Sequence, residues 1–436
     1  MLRKRLKYFK AKIQRAWSEG TLRDKASRFL FSSLWIPLDA TLGYSRLAPA
    51  DRRLDVAAGF ADHRAQPEHR KADPEHIRRI IAAYKASKQA QRTSPPAFEI
   101  HGLWAEWIEI NFKDLIRAVE AEDVSALAAL FENLHREQFT LGLGSSLDEY
   151  IRYRTTATGR FYVRTVWCRY RDKFRSFAPP EADLHSPWVG NPAGLYYQGD
   201  VIPIHAFRHA FHALEMREWL RDTPRAVLVE IGGGIGAQAY HVMRPGGAAI
   251  AKYLIFDIPE VATISSYFLL SVFPDKRIRL FGEGPVATGA GEDYEIAVFP
   301  HFAACQLADE SVDLFHNACS FSEMDRASAL AYLAVIERAC RKYFSHVNHD
   351  TRLTYRYPDG STSVNVIGSE LIPAPERFRR LFKKPGVFCL PEDWSHSMFE
   401  YLYECGPDAP FPGGSGRGPE DRPARSRIPE AGHQGG

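Results

Sequence analysis

The segment VLVEIGGGIG (227–236) constrains this chain more than any other. Val227, Leu228 and Val229 are apolar in succession, so both faces of the strand they form are buried, as in the middle of a parallel sheet. Gly232, Gly234 and Gly236 then allow a tight turn in which no side chain holds a ligand away from the backbone. A strand, a glycine turn and a following helix make a place for a nucleotide-like cofactor. Gly232, Gly234 and Ala237 also satisfy the GxGxxA spacing of a dinucleotide site, so the glycines alone do not choose the ligand.

Glu230 favours one choice, because a carboxylate at the end of this strand repels an anionic pyrophosphate and attracts a cation. The methionine end of S-adenosylmethionine is such a cation. In YLIFDIPEV, Asp257 ends the next predicted strand about 20 residues beyond the glycines, where an acid accepts the ribose hydroxyls. Ile258 is then expected against the adenine. Asp257 would serve NAD equally well, or cap the helix that begins at Pro259.

The chain around this motif divides by pattern. From 74 to 177 the apolar residues recur at helical spacing, as in Ile77, Ile80, Ile81 and Tyr84, with Ser146 a candidate cap for one helix. A proline-rich stretch without periodicity follows, and after it strands alternate with helices, the signature of a parallel sheet covered on both faces. Strands are predicted at 226–231, 252–257, 277–281, 296–300, 312–317 and 343–348, and helices at 206–220, 237–243, 261–272 and 326–340. TRLTYRYPDGSTSVNVI alternates in period two around Asp359 and Gly360 and predicts a β-hairpin that closes the sheet antiparallel.

The expected organisation is a basic segment (1–20), an all-α N-terminal domain (21–186), an α/β domain (187–405) and a disordered tail (406–436) poor in apolar groups. At 436 residues the chain exceeds what one hydrophobic core usually serves. Its formal net charge of +3 gives no reason to expect a nucleic-acid partner. Arg3, Lys4, Arg5, Lys7, Lys10, Lys12 and Arg15 alternate with Leu2, Leu6, Phe9, Ile13 and Trp17. They form either a solvated helix or one lying on an anionic membrane surface. Six cysteines with neither paired nor metal-type spacing fit a reducing cytoplasm, and no metal site is expected. No run is long enough to cross a bilayer. A cytoplasmic protein is expected, touching the inner membrane surface if the basic helix binds there.

Two later segments carry candidate chemistry. SVDLFHNACSFSEMD places Asp313, Phe315 and Asn317 on one strand face and His316 on the other, with Glu323 and Asp325 in the loop beyond. YFSHVNHD brings Asn348, His349 and Asp350 to the end of another strand on the same edge. Transfer to a hydroxyl needs its proton removed as the bond forms, a task for a neutral imidazole near pH 7. His349 is the first candidate base and His316 the second, with Glu323 or Asp350 as orienting partner. Each histidine could equally hydrogen-bond within the sheet.

With these residues in view, the chain resembles a bacterial family of sugar O-methyltransferases. VGNPAG (189–194), VLVEIGGGIG, FDIPEV, SVDLFHNACSFSEMD and KYFSHVNHD carry the resemblance in order and spacing, across about 187–367. Asn317, Ser320, Glu323 and Met324 form its most specific group, while Ile258 stands where leucine is common. The resemblance implies a class I methyltransferase (Rossmann-like) fold, S-adenosyl-L-methionine as donor, and a sugar hydroxyl of a glycan or glycoconjugate precursor as acceptor. It puts Asn317 near the cofactor and Asn191 either near the cofactor or acceptor, as a substrate contact, or in a proline turn between domains. It identifies no catalytic base. The competing readings are an NAD-dependent oxidoreductase acting on a nucleotide sugar and a non-catalytic binding module on the same fold.

Overall fold

The computed structural model describes residues 54–140, 155–176, 178, 183–244, 250–289, 291–352, 354–356, 362–388 and 398–406. The basic segment, Ser146, the turn at Asp359 and Gly360, and the tail beyond Gly406 lie outside them. Among the described residues, no helix is long and apolar enough to cross a membrane.

The first elements are helices α1 (Val56–Gly59), α2 (Pro74–Gln91), α3 (Gly102–Asn111), α4 (Lys113–Glu120), α5 (Val124–Phe131) and α6 (Ala157–Arg175). Helix α2 starts where Asp73 accepts a bond from the Glu75 amide and Pro74 fills the first turn, which leaves no amide unsatisfied at that position. The predicted stripe Ile77, Ile80, Ile81 and Tyr84 is buried. A short antiparallel pair, β1 (Leu195–Tyr197) and β2 (Asp200–Ile202), and helix α7 (Ala206–Trp219) lead to the sheet.

The sheet elements are β3 (Ala226–Ile231), α8 (Ala237–Met243), β4 (Ile250–Asp257), α9 (Pro259–Val272), β5 (Ile278–Leu280), β6 (Ile296–Pro300), β7 (Val312–Ala318), α10 (Arg326–Ala339) and β8 (Cys340–His349). Then come β9 (Thr354–Arg356), β10 (Thr362–Val364), β11 (Phe378–Pro385) and β12 (Met398–Cys405). Eight strands form one sheet in the order β11-β12-β8-β7-β3-β4-β6-β5. All neighbours from β8 to β5 pair parallel, and β12 alone is reversed, antiparallel to both β8 and β11. Every residue of β3 is buried, as its apolar run requires.

Two expectations change in detail. The hairpin forms as β9 and β10, but those strands pair with each other in a separate ribbon. The antiparallel pair that closes the sheet is β11 and β12, farther along the chain. Strand β11 is the edge and carries Arg379, Arg380, Lys383, Lys384 and Pro385, residue types that disfavour further strand pairing. The helical region, expected as a separate domain, shares its core with the sheet: Ile77, Phe112, Leu127 and Phe131 belong to the same apolar cluster as Leu228, Tyr253, Ile264 and Ile296. Phe131 stacks on Tyr267 of α9, and Lys88 of α2 pairs with the buried Glu260 at 3.0 Å.

Candidate functional site

From β3 the sheet continues through β4, β6 and β5 on one side, and the chain later returns to place β7 and β8 on the other. The order of strands reverses at β3, and in an open parallel sheet the crevice for a ligand opens beyond the strand ends at that point. The glycine turn sits there.

Gly232, Gly234 and Gly236 all have left-handed backbone, with φ of 77°, 54° and 84°. Gly232 is also packed: a Cβ there would lie 2.3 Å from the Ser320 hydroxyl oxygen. At Gly234 a Cβ would meet nothing within 4 Å, so this residue faces open space.

Glu230 is buried, and its Oε2 accepts a bond from the Tyr253 hydroxyl at 2.8 Å. Burial pushes its carboxyl up to about 8, against the opposing effect of the Tyr253 bond. Asp257 ends β4, where its Oδ2 accepts from the Gly234 amide at 2.9 Å and its Oδ1 from the Ile258 amide at 2.8 Å. Burial raises it to about 7, although those amides favour the charged form. The carboxylate keeps lone pairs for further donors. Ile258 is half-buried just before α9. Two acids held close to neutrality by burial, on either side of one glycine turn, would be ionised by a cationic ligand with ribose hydroxyls.

These observations decide the architecture: one reversed strand in an otherwise parallel sheet, with the glycine turn and two acids at its switch point. The chain has the class I methyltransferase fold. No family model matches it, and no curated protein matches it. Among solved structures, magnesium protoporphyrin IX methyltransferase from Synechocystis PCC 6803 with bound SAH is similar at 9% identity and a TM-score of 0.31, over 47% of this chain and 86% of that one. The pyocyanin biosynthetic protein PhzM is similar at 12% identity and a TM-score of 0.30, over 69% and 71%. A SAM-dependent methyltransferase from Aquifex aeolicus is similar at 12% identity and a TM-score of 0.27, over 45% and 89%. The fold assignment rests on the strand order and not on these likenesses.

Within the methyltransferase fold, the remaining sequence candidates fall into different places. Asn317 is fully buried: its Nδ2 donates to the Ile231 carbonyl at 2.8 Å, and its Oδ1 accepts from Asn348 Nδ2 at 2.8 Å. It ties β7 to the base of the glycine turn, which is a supporting position. Asn191, at φ 56°, uses its amide to donate to Asp62 and Asn133 and accepts from the His63 amide. Both of its N–H groups are spent inside the protein, so it fixes the 189–194 loop to the helical region.

His316 pairs in register with Glu230 on one side and Ser345 on the other, so the three share a sheet face. It is buried, its Nδ1 lies 3.4 Å from the Ser345 hydroxyl, and burial holds it well below the usual imidazole range. His349 ends β8, four residues beyond the partner of His316 and so roughly 13 Å farther along the strand. The two histidines are not at one point. Burial also lowers His349, so its ring is neutral near pH 7.

Neither orienting partner bonds to a histidine. Asp350 accepts from Lys383, the Tyr401 hydroxyl and the Ser369 amide. Glu323 accepts from the Trp104 indole at 3.1 Å, and burial raises its carboxyl to about 7. Asp325 caps α10. Tyr253, which holds Glu230, and Trp104, which brings the helical region to the site, carried no sequence signal. Both partnerships join positions far apart in the chain.

Proposed function

We propose that this protein transfers a methyl group from S-adenosylmethionine to a hydroxyl, and that the acceptor is a sugar of a glycan or glycoconjugate precursor. One observation carries the cofactor: the buried Glu230 carboxyl at the switch point, which only a cation would leave ionised without an unbalanced charge. The left-handed glycines would let the nucleoside lie against the backbone, and Asp257 would accept its ribose hydroxyls. The sugar acceptor is supported by the resemblance carried by the VGNPAG, SVDLFHNACSFSEMD and KYFSHVNHD segments.

His349 is assigned as the base, because it ends β8 toward the crevice and is held neutral there. It would accept the hydroxyl proton as the oxygen attacks the methyl carbon and the neutral thioether leaves. Titration calorimetry tests the cofactor: S-adenosylhomocysteine should bind and NAD should give no heat, and the reverse pattern would overturn the reading. His349→Ala should keep the affinity for S-adenosylhomocysteine and lower turnover at least a hundredfold. A variant that turns over at full speed would remove His349 from the role.

A further inference from the structure

Under α7, four ionisable side chains converge from three elements. His212 and Glu215 stand one turn apart on α7, Glu400 comes from the reversed strand β12, and Lys384 comes from the edge strand β11. One ligand atom each from His212, Glu215 and Glu400 lies within 4.8 Å of the others, the single such group among the described residues. All three residues are at least nine-tenths buried, and Glu400 is fully so.

The internal bonding of this cluster is incomplete. His212 Nδ1 lies 3.2 Å from Glu215 Oε2, and Lys384 Nζ bonds to Glu215 and stands 3.3 Å from Glu400 Oε1. Yet neither Glu400 oxygen has a hydrogen-bond partner, and His212 Nε2 has none. A buried carboxylate in that condition carries a large desolvation cost. A single ammonium faces the two carboxyl groups. A divalent ion would neutralise both. Lys384 is the movable member, since a third of its side chain is exposed on an edge strand.

We propose that His212, Glu215 and Glu400 form a binding site for a divalent transition metal, with the Lys384 ammonium occupying the cation position until a metal displaces it. One imidazole nitrogen with two carboxylates suits manganese or zinc better than calcium or magnesium, which prefer all-oxygen sets. The ion fastens α7 to β12 and so sets the helix that precedes β3. This site does not depend on the methyl-transfer reading.

The test uses the full-length, tag-free protein, stripped of metal and titrated with Mn2+ followed by electron paramagnetic resonance, with Zn2+ as competitor. One Mn2+ per chain should bind and be displaced by Zn2+. Glu400→Gln and His212→Ala should each weaken binding at least tenfold. Lys384→Met should tighten it at least tenfold, because the competing ammonium is gone, and this gain cannot come from misfolding. No uptake by the stripped wild type would overturn the proposal. So would unchanged binding in both ligand variants, or a Lys384→Met protein that binds no better than the wild type.

Discussion

At the scale of single residues, Glu230 is the position on which the cofactor reading turns, and its environment makes it measurable. Its carboxyl stands near 8 in the folded chain and near 4.5 when unfolded, so the folded state holds a proton that the unfolded state releases between those values. The stability contributed is therefore complete below about pH 4.5 and is lost as pH rises through about 8. The loss is on the order of 3 to 5 kcal/mol at most by linkage. Thermal melts of the ligand-free protein should fall between pH 7 and pH 9, above the range in which the buried histidines titrate, and Glu230→Gln should flatten part of that fall. Asp257, Glu323 and Glu400 are shifted the same way and contribute to the rest. An unchanged slope in Glu230→Gln would mean that this carboxyl is already ionised. Glu230 and Asp257 were legible in the sequence because they follow apolar strands directly. Their partners are another matter, since Tyr253 meets Glu230 only through the pairing of adjacent strands.

Among elements, the glycine turn shows two uses of the same residue. Gly232 has a left-handed backbone and is also pressed against Ser320, whereas Gly234 has the backbone alone and faces open space. An added methyl at Gly232 meets a packed neighbour and a strained φ, so Gly232→Ala should cost about 2 to 4 kcal/mol in stability. Gly234→Ala should cost about 1 kcal/mol, the left-handed strain alone, but weaken binding of S-adenosylhomocysteine several-fold because its methyl enters the ligand space. Denaturant unfolding and calorimetry on the two variants separate these effects, and equal stability losses would contradict them. The spacing predicts the core strands and the helices between them well, because β3, β4, β6 and β7 are dense in apolar residues and helix starts follow β3 and β4 closely. It does not predict β11 and β12. FRRLFKKP has the charged alternation of an edge, which reads as a solvated segment, and MFEYLYEC lacks a turn signal to announce it. The period-two pattern predicts a hairpin and one forms, but periodicity says nothing about which sheet a ribbon joins.

For the whole molecule, the consequence of the fold is that the helical region and the sheet are one packed body along the α2, α5 and α9 contact. Arg79 holds Glu283 and the Ile278 carbonyl, and Arg70 reaches the Ser271 carbonyl, so polar bonds fasten the same joint that Phe131 and Tyr267 fill. Trp104 on α3 reaches Glu323, so the helical region also forms part of the surroundings of the site. By itself, the sequence determined the alternation of strands and helices, the glycine turn and the two acids beside it, since each depends on residues adjacent in the chain. Only the tertiary structure decided which strand was reversed, that Asn317 and Asn191 are spent on internal bonds, that His316 and His349 lie apart, and that His212, Glu215, Lys384 and Glu400 meet. The physical reason is range: propensity and periodicity act over a few residues, whereas these outcomes depend on strand register and helix docking between segments far apart in the chain.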